Sequence, residues 1–537
     1  MKKNNRFFAV MMALVCAAMM MVSCSKAPEA ALVPSNALYV VDLNVASLWQ
    51  KGELDKSDNI GFVKMLRQEL RNENAELAQL VDAIIENPSN SGLDLKHDLV
   101  GFASSDGQFA LAALVKSQKK FGETLKQLCD QTGIKATFKD DKYHIFKDES
   151  NTLNIVWDKH KAYICANMNG ASRADVLMNL KKSESMAKND QFMDFWGKRD
   201  DFNMWMDFGR LLDMMAPIMD KELPAIMDEF KESSYSFCLN FDKGQLVSNV
   251  YYFGKVTKMM KQMTNHKFNT DLLDYMPETA LAALSMAVDI DTYIQYSEGA
   301  SDEVKEVLDT ELADGVTVRD LVKTLEGSAI LGFTDLQFAK DGKDVLPGLH
   351  LVADIKDEAL LDNLLSSELP KTKGYYVVEN DLFPLYIAVA NKVAVVTTDP
   401  AMAQRVLKGE KNSKGLKDIA KQIKRYNTYF YADLQIDHYP AELRDMMPSE
   451  AVTLLRQYLV GMESYADQVN HGLFKINLVN KKQNSLFFTL HFVDDNLMTF
   501  AKLFQSLQNG INESLYEEED LMDESEDIIF EEAYEEE

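Results

Sequence analysis

Residues that build metal, redox and nucleic-acid sites are scarce in this sequence. It has five cysteines and eight histidines among 537 residues. Lys and Arg number 57 against 84 Asp and Glu, which gives a net charge of -27. So few cysteines exclude a scaffold built from disulfides. The shortage of basic residues disfavours nucleic-acid binding, which needs a dense basic surface.

Motifs of catalysis and metal binding are also lacking. No two histidines stand two, three or four residues apart, as the ligands of a metal site often do. The sequence contains no Cys-x-x-Cys, His-Glu-x-x-His or Gly-x-Ser-x-Gly motif and no glycine-rich phosphate loop. We therefore predict no catalytic residue, no metal site and no cofactor, and we regard the protein as non-enzymatic.

One long apolar run is present, at residues 7–22, and Lys2, Lys3 and Arg6 precede it. As a helix the run would rise only about 24 Å, less than the roughly 30 Å of a membrane span. It is therefore typical of a secretory signal peptide. The run ends in Met-Val-Ser-Cys at 21–24, which resembles the lipobox of bacterial lipoproteins. This predicts cleavage before Cys24 and acylation of its thiol, with ordinary secretion as the alternative.

The residues after Cys24 indicate to which membrane a lipoprotein is sent. Ser25 is typical of lipoproteins sent to the outer membrane, whereas Asp at this place marks retention in the inner membrane. Lys26 resembles the start of a surface-export signal, but Ala27 and Pro28 stand where acids are expected. We predict an outer-membrane protein held by its acyl chains alone, since no other segment has about 18 consecutive apolar residues. The periplasmic and surface faces both stay open.

The rest of the chain shows one pattern twice. Five short motifs recur in the same order, far enough apart for each copy to be a domain. The matched segments are 34–43 with 277–290, 92–102 with 315–333, 155–164 with 387–396, 203–208 with 428–434, and 236–241 with 474–478. We predict a signal peptide at 1–23, an anchor linker at 24–32, similar domains at 33–264 and 265–510, and an acidic tail at 511–537.

Within each domain, paired strand patterns alternate with helical periodicity. Strand pairs are predicted at 99–103 with 109–115, 153–157 with 162–166, 234–241 with 246–253, 385–390 with 393–397, and 472–479 with 484–493. Apolar residues keep a helical spacing in 62–85 and again in 497–507. The sequence therefore predicts the α+β class, with two similar tandem domains that each have a mainly antiparallel sheet and helices packed on it.

Several of these features together resemble a known family. They are the lipobox, the Pro-x-x-Ala-Leu motif before a strand at 34–38 and 277–281, the Gly-Leu-Asp-Leu turn at 92–95, and the two similar halves. The combination resembles a family of uncharacterised Bacteroidota envelope lipoproteins, classed as a domain of unknown function. The resemblance covers nearly the whole chain after the signal peptide, except the acidic tail. It implies an envelope location and a duplicated α+β body, and no activity or catalytic residue.

Two pairs of aspartates stand at matching positions of the predicted repeat: Asp42 with Asp289, and Asp207 with Asp433. One interpretation is a binding or acid/base site at the ends of neighbouring strands. The other, which we favour, is that each carboxylate caps the helix that follows its strand.

Sulfur-containing residues allow two further predictions. Cys129, Cys165 and Cys238 are predicted to be buried free thiols, with one disulfide as the alternative. Methionines cluster at 214, 215, 219 and 227 and again at 259, 260 and 263. Core packing is the favoured interpretation of both clusters. The alternatives are a Met-lined groove for an apolar ligand and a copper site, of which the groove is preferred.

The C-terminal tail is the most charged part of the chain. Residues 513–537 contain 14 acids and no Lys or Arg. Such self-repulsion predicts disorder in isolation. Ile529, Phe530 and Tyr534 are apolar enough to anchor the tail on a basic, groove-bearing partner, and the alternative is a solvated tail.

These observations favour a lipid-anchored envelope protein with a non-enzymatic binding or scaffold role. The alternative is a carrier of a lipid or another apolar ligand in a Met-lined groove. The expected partners are the membrane, through the lipid anchor, and an envelope protein or apolar ligand.

Overall fold

The computed structural model describes residues 28–490, apart from 54–63, 65–66, 69, 73, 133–135, 141–143, 149–152, 168–172, 216–229, 300–301, 314, 339–344, 380–382 and 467–469. Several predicted features lie outside the described residues. They are the lipobox with Cys24, Met219, Met227, the helical periodicity of 497–507, and the acidic tail with Ile529, Phe530 and Tyr534.

Antiparallel strands dominate the described part of the chain. The strands are β1 (Ala37–Leu43), β2 (Leu99–Ser104), β3 (Gln108–Leu114), β4 (Ala136–Asp140), β5 (His144–Asp148), β6 (Leu153–Trp157), β7 (Lys161–Asn167), β8 (Phe202–Asp207), β9 (Ser234–Asp242), β10 (Gln245–Phe253), β11 (Ala282–Ala287), β12 (Glu311–Ala313), β13 (Val316–Thr317), β14 (Leu325–Phe338), β15 (Val345–Ile355), β16 (Lys371–Thr372), β17 (Tyr375–Val378), β18 (Leu385–Ala390), β19 (Val393–Thr397), β20 (Thr428–Asp433), β21 (Leu459–Ala466) and β22 (His471–Leu478).

Short helices connect these strands. The α-helices that lie wholly within the described residues are α1 (Val45–Gly52), α2 (Ala75–Glu86), α3 (Gln118–Thr132), α4 (Ala174–Met178), α5 (Asp190–Trp196), α6 (Phe208–Met215), α7 (Val256–Met263), α8 (Ile290–Glu298), α9 (Asp302–Leu308), α10 (Val318–Lys323), α11 (Glu358–Glu368), α12 (Pro400–Leu407), α13 (Ala420–Ile423), α14 (Ala441–Asp445) and α15 (Ser449–Tyr458). None of the described helices is both long and apolar enough to cross a bilayer.

Twenty of the described strands hydrogen-bond into one sheet, and each neighbouring pair is antiparallel. From one edge to the other the order is β4-β5-β6-β7-β3-β2-β1-β8-β9-β10-β22-β21-β20-β11-β14-β15-β19-β18-β17-β16. The predicted α+β class with mainly antiparallel strands is confirmed.

The strand order is the same on both sides of the β10–β22 pair. Outward from it, β10, β9, β8, β1, β2, β3, β7, β6, β5 and β4 correspond to β22, β21, β20, β11, β14, β15, β19, β18, β17 and β16. Trp157 pairs with Ala162 in one hairpin, and Val389 pairs with Ala394 in the corresponding hairpin. The likeness is one of strand order, and descent from one duplicated unit stays a prediction.

Two predictions about the second half are wrong. The motif at 236–241 lies in β9 and its proposed match at 474–478 lies in β22, whereas the strand that corresponds to β9 is β21. Residues 485–490 are helical and do not form a strand paired with β22. Both edges of β22 are already occupied by β21 and β10. Asn484 instead starts a helix, because its side chain accepts a hydrogen bond from the Leu486 N–H at 3.0 Å.

The helix predicted over 62–85 has its expected end but an interruption near its middle. The side chain of Asn74 accepts a hydrogen bond from the Leu77 N–H at 2.9 Å, so α2 begins there. Asparagine competes for backbone donors in this way and is favoured at helix starts. The helical spacing of apolar residues over 62–85 therefore continues past Asn74, although a new helix begins there.

Each half of the sheet has its main hydrophobic core on the same face, under helices. In the first half Val40, Val100 and Trp205 pack with Phe192 and Phe195 of α5. The corresponding core of the second half contains Ile330, Val352, Val395, Met402 and Val406. Near the outer strands, α3 and α11 pack on the opposite face, through contacts to β6 and β18. The central strands therefore present a face opposite the two main cores.

Candidate binding surface

Three rows of mainly apolar side chains cross the central strands on the face opposite the main cores. Residues directly opposed in antiparallel strands point to the same face, so the register defines each row. The first is Phe202, Leu239, Ser248, Phe474, Ser464, Phe430, Leu284 and Leu331. The second is Met204, Phe237, Val250, Gly472, Ala466, Thr428, Met286 and Ala329. The third is Phe241, Leu246, Ile476, Met462, Ala432, Ala282 and Phe333.

This set of side chains, the apolar sheet face, contains no charged residue. Phe474 is 37% exposed, Met286 41% and Leu331 38%, and most other members of the rows are half-buried. Large contiguous patches of exposed apolar surface are rare on monomeric proteins and mark sites of interaction. The apolar sheet face is therefore the candidate binding surface.

The same central strands carry polar groups on their other face. At the β10–β22 pair, the side chains of Asn249 and His471 are hydrogen-bonded at 2.9 Å. At the neighbouring β22–β21 pair, Lys475 Nζ lies 3.4 Å from a carboxylate oxygen of Glu463. The middle of the sheet is thus amphipathic, which is the pattern of a sheet with one face in water and one face against an apolar partner.

A second group of functional residue types lies buried in the first half. Asp42, in β1, is fully buried, and its two oxygens accept hydrogen bonds from Arg199 Nη1 and Asn203 Nδ2, each at 2.9 Å. Arg199 Nη1 also lies 2.5 Å from an oxygen of Asp98. Next to Asp98 along the chain, His97 Nδ1 lies 2.6 Å from Glu29. We call these side chains the buried charge cluster.

The electrostatics of the cluster follow from its burial. Loss of water raises the pKa of Asp42 to about 8, and repulsion from Asp98 adds to this, while Arg199 opposes it. Burial likewise raises the pKa of Asp98, with Arg199 opposing and Glu29 adding. The guanidinium of Arg199 thus faces the carboxyl groups of Asp42 and Asp98 in a region of low dielectric constant. These two carboxyl groups therefore retain a proton to higher pH than two carboxyl groups in water.

The cluster has the properties of a structural ion-pair group. The guanidinium of Arg199 lies over the ring of Trp196 at 3.8 Å, which fixes its plane as well as its charge. The carboxyl oxygens of Asp42 are both occupied by donors of the protein itself. Within the described residues, no group of three or more His, Cys, Asp or Glu side chains is placed to hold a metal ion.

Sequence reasoning did not find Arg199, Asp98 and Asn203. Arg199 stands 157 positions from Asp42 and 101 from Asp98, so nothing local in the sequence connects them. The available signal was the uninterrupted charged run at 198–201, directly before β8. Four charged residues at the start of a buried strand need partners, but the run does not say which.

The predicted capping role is confirmed for two of the four aspartates. Asp289 accepts a hydrogen bond from the Thr292 N–H at 2.8 Å and caps α8. Asp207 accepts one from the Arg210 N–H at 3.0 Å, at the start of α6.

For the other two aspartates the capping prediction is wrong. Asp433 accepts from the Gln435 N–H at 2.9 Å and contacts His438 Nδ1 at 2.5 Å, in a turn before the 3₁₀ helix Ile436–His438. Asp42 lies inside its strand, and Asn44 caps the following helix by accepting from the Ser47 N–H at 3.0 Å. Asp42 and Asp289 therefore occupy different places in their halves, because Asp42 lies within β1 whereas Asp289 comes two residues after the end of β11.

The three described cysteines agree with the favoured prediction. Cys129, Cys165 and Cys238 are buried thiols outside any disulfide. Burial raises the pKa of Cys129 to about 11 and that of Cys238 to about 12, with smaller contributions from nearby acids. Such thiols stay protonated and poorly nucleophilic at neutral pH.

The methionine clusters have two different environments. Met259 is buried, as core packing requires. Met214 and Met215, on α6, are each 44% exposed, so core packing is the wrong interpretation for them. The apolar sheet face contains three methionines from outside both clusters, Met204, Met286 and Met462.

Comparison with known proteins gives one family. Residues 30–450 match the model described as a domain of unknown function, DUF4836. No curated protein matches the chain. Two solved structures, crystal forms III and IV of TP0453, are 10% identical to it. Form III covers 46% of this chain and 89% of its own with a TM-score of 0.26, and form IV covers 42% and 79% with 0.25.

TM-scores this low do not establish a shared fold. The family match covers most of the chain. Residues 30–450 include the first half of the sheet and the second half as far as the start of α15. The chain belongs to the DUF4836 family, a domain of unknown function.

Proposed function

We propose that the protein is held in the outer membrane of the cell envelope by acylation of Cys24 and has a non-enzymatic binding role. In this role the apolar sheet face binds a protein partner that presents an uncharged apolar surface. The lipobox supports the anchor, and the apolar rows, with Phe474, Met286 and Leu331 exposed in them, support the binding role. The observation that carries the proposal is the row from Phe202 to Leu331, which crosses eight strands without a charged side chain.

The lack of charge on the face restricts the kind of partner surface that can bind it. Its polar members are Ser248, Ser464 and Thr428, whose hydroxyls can each form a local hydrogen bond. A partner with charged groups at its centre would lose their hydration without gaining an opposite charge, which is costly. The fitting surface is therefore apolar at its centre, and any charges lie at its rim.

The size of the face suits a protein. Eight strands about 4.8 Å apart, each with about six residues at about 3.3 Å, cover roughly 700 Å². A stable protein–protein interface of standard size buries about 800 Å² on each partner. The lateral extent of the face is therefore similar to that of such an interface.

A second candidate is a carrier of a lipid or another apolar ligand. Met204, Met286 and Met462 favour it, because unbranched methionine side chains adapt to ligands of different shape. The predicted Met-lined groove would then lie on the sheet, and not on the helices of the two methionine clusters.

One pair of variants tests these proposals. Phe474→Asp places a charge at the centre of the face. Val479→Asp is the matched control, since Val479 is 47% exposed, follows β22 directly and lies outside the three rows. Both substitutions are at exposed positions, so both proteins are expected to show the thermal unfolding of wild type.

The readout is crosslinking from native membranes, with lipid extraction of the same samples. A protein that crosslinks to wild type and to Val479→Asp, but not to Phe474→Asp, supports the partner proposal. A lipid that is lost only with Phe474→Asp supports the carrier instead. If Phe474→Asp retains every protein and lipid that Val479→Asp retains, the apolar sheet face is not a binding surface.

A further inference from the structure

A strongly basic segment occurs in the second half of this acidic chain. Residues 405–425 contain eight Lys and Arg but only two acids, Glu410 and Asp418, whereas the whole chain carries a charge of -27. The segment begins near the end of α12 and includes α13. We call its basic side chains the basic strip: Arg405, Lys408, Lys411, Lys414, Lys417, Lys421, Lys424 and Arg425.

The fold holds the strip on the outside of the second core. Leu416, Ile419 and Ile423 are buried in that core, and they fix the segment against it. Most of the basic side chains between and around them are exposed, and Arg405 is half-buried. The alternation of buried apolar and exposed basic residues therefore places Lys414, Lys417, Lys421 and Lys424 on the exposed side of this segment.

Acids of the body neutralise only part of the strip. Lys417 pairs with Glu278 at 2.7 Å, and Lys411 lies 3.4 Å from Asp274 and 3.8 Å from Asp271. Lys408 is 3.9 Å from Glu410, at the limit of an ion pair.

The remaining five cations form no ion pair with the described residues. They are Arg405, Lys414, Lys421, Lys424 and Arg425. Arg425 does lie over the ring of Tyr426 at 5.3 Å. The strip thus keeps an excess of positive charge, and such a surface attracts an acidic segment.

The same chain supplies such a segment. Residues 513–537 contain 14 acids and no Lys or Arg. From residue 490, where the described part ends, to residue 513 the chain can span at most roughly 80 Å. A tethered segment within reach has an effective concentration of about millimolar, well above that of a free partner. Charge complementarity and the tether together favour the tail over an external anion.

We propose that the acidic tail, residues 513–537, docks on the basic strip of its own chain. The basic partner that the sequence predicts for the tail is then the second half of this chain. Since most charges of the strip are exposed, the attraction weakens as salt shortens the screening length.

Amine reactivity in the full-length protein tests the contact directly. The comparison is wild type against a variant with Glu517, Glu518 and Glu519 changed to Gln and Asp520 changed to Asn. Acetylation of Lys414, Lys421 and Lys424 is followed by mass spectrometry, with the exposed Lys119 as the internal control. At low salt these three lysines should react several-fold more slowly in wild type than in the variant, and high salt should remove the difference. Equal rates in the two proteins at low salt would overturn the proposal.

Reversing the charge of two lysines in the strip tests the same proposal through the tail. Lys421→Glu with Lys424→Glu should make the tail several-fold more sensitive to a protease that cleaves after Glu, at low salt. The matched control is Lys181→Glu with Lys182→Glu, a pair of exposed lysines in the first half. All four positions are exposed, so folding should be retained, and thermal unfolding checks this. If both double variants show the tail cleavage rate of wild type, the tail does not dock on the strip.

Discussion

Arg199 and Asp42 are hydrogen-bonded at 2.9 Å across 157 positions of the chain. Asp42 is in β1, and Arg199 precedes β8, which pairs with β1. The hydrogen bond therefore joins the loop before β8 to the neighbouring strand, β1. It also places a fully buried carboxyl group beside a guanidinium that Asp98 shares.

The stability of the protein should depend on the protonation of Asp42. The folded-state pKa is raised to about 8, above the unfolded value, so the folded protein binds a proton here that the unfolded chain has lost. This contribution to stability is fully present below the unfolded pKa and is lost as the pH rises through about 8. Each unit of pKa difference is worth about 1.4 kcal/mol.

Asp42→Asn removes this titration. The free energy of unfolding of wild type, relative to the variant, should fall as the pH rises from about 4 to about 8. Urea unfolding of both proteins across this range measures it. If the difference between the two proteins stays constant with pH, Asp42 does not titrate as its environment indicates.

Arg199→Ala should be strongly destabilising at neutral pH. It leaves the buried charge of the Asp42–Asp98 pair without its cation, which typically costs about 3–5 kcal/mol. The loss should be smaller at about pH 4, where the raised pKa values of both carboxyls favour their neutral forms.

The control for this substitution is Arg173→Ala, which removes an exposed pair with Asp106 and should cost about 1 kcal/mol or less. Urea unfolding at both pH values measures all three proteins. Similar losses for the two variants at neutral pH would mean that Arg199 does not neutralise the buried acids.

Much of the local structure was predictable, because strand pairs and turns are short-range features. The hairpin of β9 and β10 follows from two apolar runs around a turn with Gly244. The pairing of β10 with β22 was not predictable, because an apolar strand can match many partners and Ser248 pairs with Phe474 far along the chain. The candidate surface depends on that pairing.

The same limit applies to the buried charge cluster. Asp42 and Asn44 stand two residues apart in similar surroundings, and both residue types can cap a helix. Only the end of β1 decides that Asn44 caps α1 while Asp42 points into the core. Element boundaries are set by long-range packing, so a sequence pattern could not assign the two roles.

The anchor can be tested independently of the fold. Cys24→Ala removes the thiol that acylation requires, so the precursor should stay uncut or the protein should leave the membrane fraction. Fractionation and the mass of the mature protein measure both outcomes. Cys129→Ala is the control, because a buried thiol in α3 has no part in anchoring. A Cys24→Ala protein that is processed and fractionates like wild type would contradict the lipobox interpretation.

Two glycines from matched motifs should differ sharply in their tolerance of a side chain. Gly92 and Gly315 both have left-handed backbones, with φ of 82° and 80°. A Cβ on Gly92 would lie 2.2 Å from the backbone nitrogen of Phe121, whereas a Cβ on Gly315 has no described heavy atom within 4 Å. The carbonyl of Gly92 also accepts hydrogen bonds from the N–H groups of Lys116 and Ser117, each at 2.9 Å. Gly92 therefore joins its turn to the start of α3.

Gly315→Ala should cost only the backbone strain, about 1–2 kcal/mol. Gly92→Ala should cost this strain and in addition a displacement of α3, so its loss should exceed that of Gly315→Ala by about 1–3 kcal/mol. Urea unfolding of the two variants at one pH measures the difference. Equal losses would show that α3 moves away from the turn without cost, and that the close packing at Gly92 does not contribute to the stability of the first half.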